Sequence, residues 1–229
     1  IIFGFQLLVP QPERAPMTEE QTNDESLVDL SIQKSSSNVL ADRGDVINQT
    51  GRVNFDNSKI KGSINLNGAL IDDLTLEEFR ETLDPTSDLI EFLNPLGSDN
   101  AYYLDTGWVS SDSTIELPNS SSIWIADKDT IGVNEPLKLT WTSDQNITFE
   151  KIITLDENYL FSVDQRVINN SGLSFDLYPY GLSKRQGIPE MQNFFILHEG
   201  PLSITDGVLE EYDYDDLKDD KKIKHSSVG

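Results

Sequence analysis

The 229 residues include no cysteine. That excludes a disulfide framework, a thiolate zinc site and a cysteine nucleophile together. Histidine is almost as scarce, with two residues, His198 and His225. His225 lies in a polar tail, so an imidazole-based metal or acid–base site has one candidate in the body of the chain. His198 is followed by Glu199, but neighbours along a strand point to opposite faces and do not converge on one ligand. A structural His198 is the expectation. Basic residues are few: 17 Lys and Arg against 40 Asp and Glu give a formal charge of −23. Such a chain cannot neutralise phosphates, which excludes nucleic acid as a partner and disfavours anionic lipid headgroups. The apolar opening, IIFGFQLLV at residues 1–9, falls well short of the ~20 residues that a spanning helix needs. There is no G-x-S-x-G, Walker A or dinucleotide fingerprint, and no internal repeat.

What is present can build a core: 37% of residues are apolar and 9% aromatic, enough for one large domain or two small ones. Residues 10–51 are dominated by Pro, Glu, Ser and Asn. They bury too little to offset their ordering entropy and read as a flexible linker, with residues 27–32 able to pair transiently with a sheet edge. From Arg52 the signals become strand-like. Val53 and Phe55 alternate with polar residues, as do Ile64 and Leu66, then Leu137, Leu139 and Trp141. Ile147 and Phe149 lead into Ile152 and Ile153; Tyr159, Phe161 and Val163 follow, then Leu173, Phe175 and Leu177. Asn134-Glu135-Pro136 and Asn169-Asn170-Ser171-Gly172 mark turns. One stretch is ambiguous, because Leu76, Phe79 and Leu83 have helical spacing after an alternating run. Many short strands with polar turns predict an all-β sandwich or barrel.

Carboxylates are so abundant that a chance pair at catalytic separation carries no information. The densest group, Asp213, Asp215, Asp216, Asp219 and Asp220, lacks the glycine and terminal glutamate of a calcium loop and reads as a solvated acidic stretch. The aromatic strip Tyr178-Pro179-Tyr180-Gly181 reads first as structure, with Pro and Gly shaping a bend and the rings filling the core. Its functional reading is a groove for a sugar or extended peptide, lined by Tyr178, Tyr180, Lys184 and Arg185. Trp108, Trp124 and Trp141 read as packing residues first and ligand platforms second.

Four strings carry a resemblance. GSINLNGALIDDLTLEEFRETLDP (residues 62–85), NAYYLDTGWV (100–109), LYPYGLSKRQGIPEMQNFFILHEGP (177–201) and EEYDYDDL (210–217) occur in this order. They resemble the large periplasmic domain of YidC-type membrane protein insertases of Gram-negative bacteria. The resemblance implies a β-supersandwich related to the galactose-mutarotase-like fold. It implies an organisation in which residues 1–9 end an N-terminal transmembrane anchor, 10–51 are linker, 52–217 form the periplasmic domain, and 218–229 lead toward a membrane region. It further implies a non-enzymatic domain without cofactors, in the periplasm at the bacterial inner membrane. That domain would assist insertion and folding of nascent inner-membrane proteins, alone or with Sec translocon components, accessory to the membrane core. The competing expectation is a non-catalytic carbohydrate- or peptide-binding sandwich of the cell envelope. A mutarotase enzyme is disfavoured, because its chemistry needs a histidine and carboxylate set and the body of the chain offers His198 alone.

Overall fold

The computed structural model describes residues 41–189 and 198–219. The expected anchor, residues 10–40 of the expected linker and residues 220–229 lie outside the described residues. The strands in chain order are β1 (Arg52–Asp56), β2 (Ile60–Asn65), β3 (Leu70–Arg80), β4 (Leu89–Leu93), β5 (Tyr102–Val109), β6 (Ile125–Ala126) and β7 (Thr130–Ile131). They continue with β8 (Leu137–Thr142), β9 (Ile147–Leu155), β10 (Phe161–Asn169), β11 (Tyr178–Arg185), β12 (Leu202–Thr205) and β13 (Val208–Glu211). Two short helices, α1 (Arg43–Ile47) and α2 (Tyr214–Asp219), flank them.

The strands form an all-β sandwich. The first sheet has the order β11-β5-β3-β2-β1-β7, with β4 added on β3, and the second has the order β10-β9-β8-β6. The period of two explains the layering: Val53 and Phe55 of β1, Leu137 and Leu139 of β8, and Ile147, Phe149, Ile153 and Leu155 of β9 are all buried in one core cluster. Phe149 takes Trp108 at 5.1 Å between ring centroids and Trp141 at 5.7 Å, while Phe55 meets Phe161 edge-on at 5.2 Å. Each such side chain contributes about 1.5–3 kcal/mol by leaving water. The turns follow the polar residues. Asn134 and Asn146 adopt positive φ, and Asp206 and Gly207 (φ 52° and 79°) close the two-residue β12–β13 hairpin with the twist that suits it.

Four local expectations give way. Residues 41–51 belong to the stretch read as linker, yet they carry α1. Asp42 caps it by accepting from the Gly44 amide at 2.8 Å, and the Ala41 amide donates to the Gly97 carbonyl at 3.1 Å. Arg43 pairs with Asp73 of β3 and, at 3.3 Å, with Glu91 of β4. Polar composition here serves capping and pairing with an acidic sheet rather than solvation. The helical spacing around Phe79 also yields, because β3 continues to Arg80 in antiparallel register with β4. Residues 173–177 form no strand: they carry the chain from β10, the edge of one sheet, to β11, the edge of the other, with Phe175 and Leu177 packed on the core.

The fourth concerns the aromatic strip, which contains no bend. β11 pairs with β5 without interruption from Tyr178 opposite Val109 to Arg185 opposite Tyr102. Gly181 has no positive φ, and a Cβ there would meet nothing within 4 Å. Ladder hydrogen bonds along the whole strand outweigh the local turn propensity of Pro and Gly.

A polar network covers the face of the first sheet that looks away from the core. Asp72, fully buried, pairs with Arg52 and accepts from Asn65 at 3.2 Å, and Arg52 Nε donates to Ser63 Oγ at 2.6 Å. Ser63 in turn donates to Asp73, the partner of Arg43. Burial lifts the Asp72 carboxyl above its ordinary range, against the pull of Arg52 and Asn65.

Candidate functional site

The most unusual side chain in the fold is Lys151. In β9 the inward set is Ile147, Phe149, Lys151, Ile153 and Leu155, so strand alternation delivers an ammonium group into the core. Its side chain is 2% exposed. Nζ donates to the Ala69 carbonyl at 3.4 Å, lies 3.9 Å from Asp105 Oδ1, and sits 5.0 Å from the centroid of the Trp124 ring. Each contact comes from a different element: Ala69 from the turn before β3, Asp105 from β5, and Trp124 from the segment before β6. The turn is built for this. Gly68 and Ala69 both adopt positive φ (82° and 54°), which costs the alanine about 1 kcal/mol.

Tyr180 completes the group from β11, its hydroxyl donating to Asp105 Oδ2 at 3.0 Å. Its ring lies against Gly107, where a Cβ would fall 2.7 Å from it, so glycine is what lets β11 lay an aromatic over β5. Gln165 of β10 reaches the Gly107 carbonyl at 2.9 Å and ties the second sheet to the same spot. Desolvation depresses the Lys151 pKa from 10.5 to about 8, with Asp105 partly offsetting it. Burial likewise lifts Asp105 above the usual carboxylate value against the pull of Lys151 and Tyr180. The Tyr180 phenol is raised by burial first and by the Asp105 charge second.

The cavity between Asp105, Asn119, Trp124, Lys151 and Tyr180 measures about 10 Å³, the size of one water. Small-molecule pockets run to ~300 Å³ or more. As a chemical site the centre is therefore small: it can hold the sheets in register and order a solvent molecule, and it has no room for a sugar. A second concave feature is open and apolar. Ile60, Leu74, Leu76, Phe79, Phe92 and Tyr159 line a groove of about 300 Å³.

The four residues expected to form a groove are distributed differently. Tyr178, Tyr180 and Lys184 share one face of β11 by the two-residue period, and Arg185 lies on the other. Tyr178 is exposed, while Tyr180 turns into the Lys151–Asp105 centre. Arg185 lies over the Tyr102 ring at 5.2 Å and borders a 520 Å³ depression with Ser183, Ile188, Tyr214 and Leu217. His198 stands apart, with Nδ1 3.5 Å from Asp213. Trp108 and Trp124 are buried, and Trp141 packs on Phe149. Lys151 and Asp105 went unremarked in the sequence reading, though the alternation that begins at Ile147 puts Lys151 on the inward face.

Comparison with known proteins places this architecture. The YidC periplasmic domain family matches residues 52–229. The Membrane protein insertase YidC of Pelagibacter ubique (strain HTCC1062) is 38% identical over 216 residues, covering 92% of this chain and 38% of that protein. The proteins of the same name from Rickettsia rickettsii (strain Iowa) and Rickettsia typhi (strain ATCC VR-144 / Wilmington) are 34% and 35% identical over 230 and 228 residues. Those matches cover 99% and 98% of this chain and 41% and 40% of the relatives. The chain thus spans about two fifths of the length of the curated relatives it matches. The family model covers most of the chain and the relatives match it over nearly its full length, and the chain belongs to the YidC periplasmic domain family.

Proposed function

We infer that this chain is the periplasmic part of an inner-membrane insertase. It assists the insertion and folding of nascent inner-membrane proteins, alone or beside the Sec translocon, and is accessory to a membrane core. The family match over residues 52–229 carries this reading. The relatives that share it are named for membrane protein insertion. The geometry supports a binding role rather than a catalytic one. The buried Lys151–Asp105 centre admits about one water, whereas the surface offers an open apolar groove of about 300 Å³. The same contrast counts against the carbohydrate reading at that centre and leaves the peptide reading at the groove.

Photo-crosslinking in living cells tests this. Crosslinkers are placed at the exposed Leu83, Ile123 and Leu160 of the domain within the full-length protein. Adducts with newly made inner-membrane proteins or with translocon components are expected. Adducts to soluble periplasmic proteins alone would overturn the reading.

A further inference from the structure

The open groove has an apolar floor and an acidic rim. Ile60 and Leu74 at its base are 1% and 6% exposed, whereas Phe79, Phe92 and Tyr159 at its mouth are 49%, 47% and 43% exposed. Three large aromatics held half in water around a concave surface are what a docking site presents and what an isolated fold avoids. The mouth is held in place. The Tyr159 hydroxyl donates to Glu78 Oε2 at 2.7 Å, and Phe92 packs against Tyr102 with ring centroids 5.7 Å apart. The neighbouring Leu83 and Leu160 are also exposed.

Charge narrows the occupant. The segments that build the groove, residues 56–61, 74–92 and 156–160, carry nine Asp and Glu against three Lys and Arg. Two of those cations are engaged locally: Arg80 donates to the Ser87 carbonyl, and Lys59 Nζ to Asn158 Oδ1 at 2.6 Å. The rim therefore repels anionic lipid and acidic polypeptide and attracts cationic flanks.

We propose that this groove receives the apolar side chains of an extended polypeptide segment whose flanks carry Lys or Arg. The floor takes one or two aliphatic or aromatic side chains, and the basic flanks meet the acidic rim, where Glu78 stands beside Tyr159 and Glu81 follows at the exposed end of the strand. This rests on the insertase reading and gives its client contact a position and a chemistry: apolar segments bordered by positive charge.

Three fluorescent peptides are titrated into the 229-residue chain and followed by anisotropy. One has a Leu/Phe core between Lys flanks, one the same core between Glu flanks, and one a Ser core between Lys flanks. The first is expected to bind at least tenfold tighter than either other, and to weaken as salt rises. Phe79→Ser and Phe92→Ser should each weaken it at least tenfold, with circular dichroism showing the sheet intact. Glu81→Lys, at an exposed position, repeats the test without touching the floor and should weaken the Lys-flanked peptide alone. Equal binding of the Lys- and Glu-flanked peptides, or unchanged binding by all three variants, overturns the proposal. Loss of peptide selectivity while crosslinks to nascent proteins persist removes the groove and leaves the insertase reading standing. Selective peptide binding without such crosslinks keeps the groove chemistry and removes that reading.

Discussion

Lys151 of β9 and Asp105 of β5 face each other between the two sheets, Nζ to Oδ1 3.9 Å, with side chains 2% and 19% exposed. It is the sole ion pair of either residue among the described residues, and Tyr180 closes it from the third strand. An ion pair in such surroundings gains little net stability, because desolvation offsets attraction. Breaking it from one side is another matter.

Asp105→Asn should therefore destabilise the domain by about 3 kcal/mol at neutral pH, because it leaves the Lys151 ammonium buried without its counter-charge. Adding Lys151→Met to that variant should recover most of the loss. Urea unfolding of the two single variants and the double variant measures the coupling. A double variant as unstable as the sum of the singles would show that the pair does not act as a unit.

The pH dependence has a defined sign. In the unfolded chain Lys151 keeps its proton up to about the ordinary lysine value of 10.5, while in the fold it releases it near 8. Between these values the unfolded state binds more protons, so raising the pH favours folding through this group. The stability of the native chain relative to Lys151→Met should climb by about 3 kcal/mol from pH 8 to 10.5 and stay flat below 8. A difference that is flat throughout, or falls, contradicts a desolvated lysine.

Two glycines on paired strands should behave oppositely. Gly107→Ala puts a Cβ 2.7 Å from the Tyr180 ring, displaces that ring from Asp105, and should cost about 1–3 kcal/mol. Gly181→Ala meets open space at an ordinary φ and should be neutral or stabilising by about 0.5 kcal/mol. Thermal unfolding of both variants makes the comparison.

The outer polar face should show graded costs. Arg52→Met strands the fully buried Asp72 and should cost about 3–5 kcal/mol. Arg43→Ala frees α1 from Asp73 and Glu91, which are less buried, at about 1 kcal/mol. Hydrogen exchange should report faster exchange at the Asn48 amide, which bonds to the Gly44 carbonyl, in Arg43→Ala, with β9 amides unaffected.

Much of the sandwich was legible because strand alternation and Asn–Gly turn chemistry are local signals. Val53 and Phe55, or Leu137 and Leu139, declare their inward face from sequence alone. The failures came where a distant partner decides. Whether Phe79 sits on a helix or a strand depends on β4 pairing alongside it. Whether Tyr178–Arg185 bends depends on β5. Residues 41–51 read as linker because the acidic partners of Arg43 lie thirty and more residues away. The buried centre was half visible: the β9 period predicts an inward Lys151, but not that Asp105 and Tyr180 meet it. The open groove was least visible, since its six lining residues come from four separate stretches of the chain.

We propose that the sandwich assists insertion without performing it. The direct test replaces the native insertase, in depleted cells, with a full-length protein lacking residues 52–217 and retaining its membrane-spanning parts. Growth and insertion of most inner-membrane proteins should persist, with losses confined to clients whose apolar segments carry basic flanks. Failure of growth, with the shortened protein accumulating normally in the membrane, would overturn the accessory role and make the domain part of the insertion step itself.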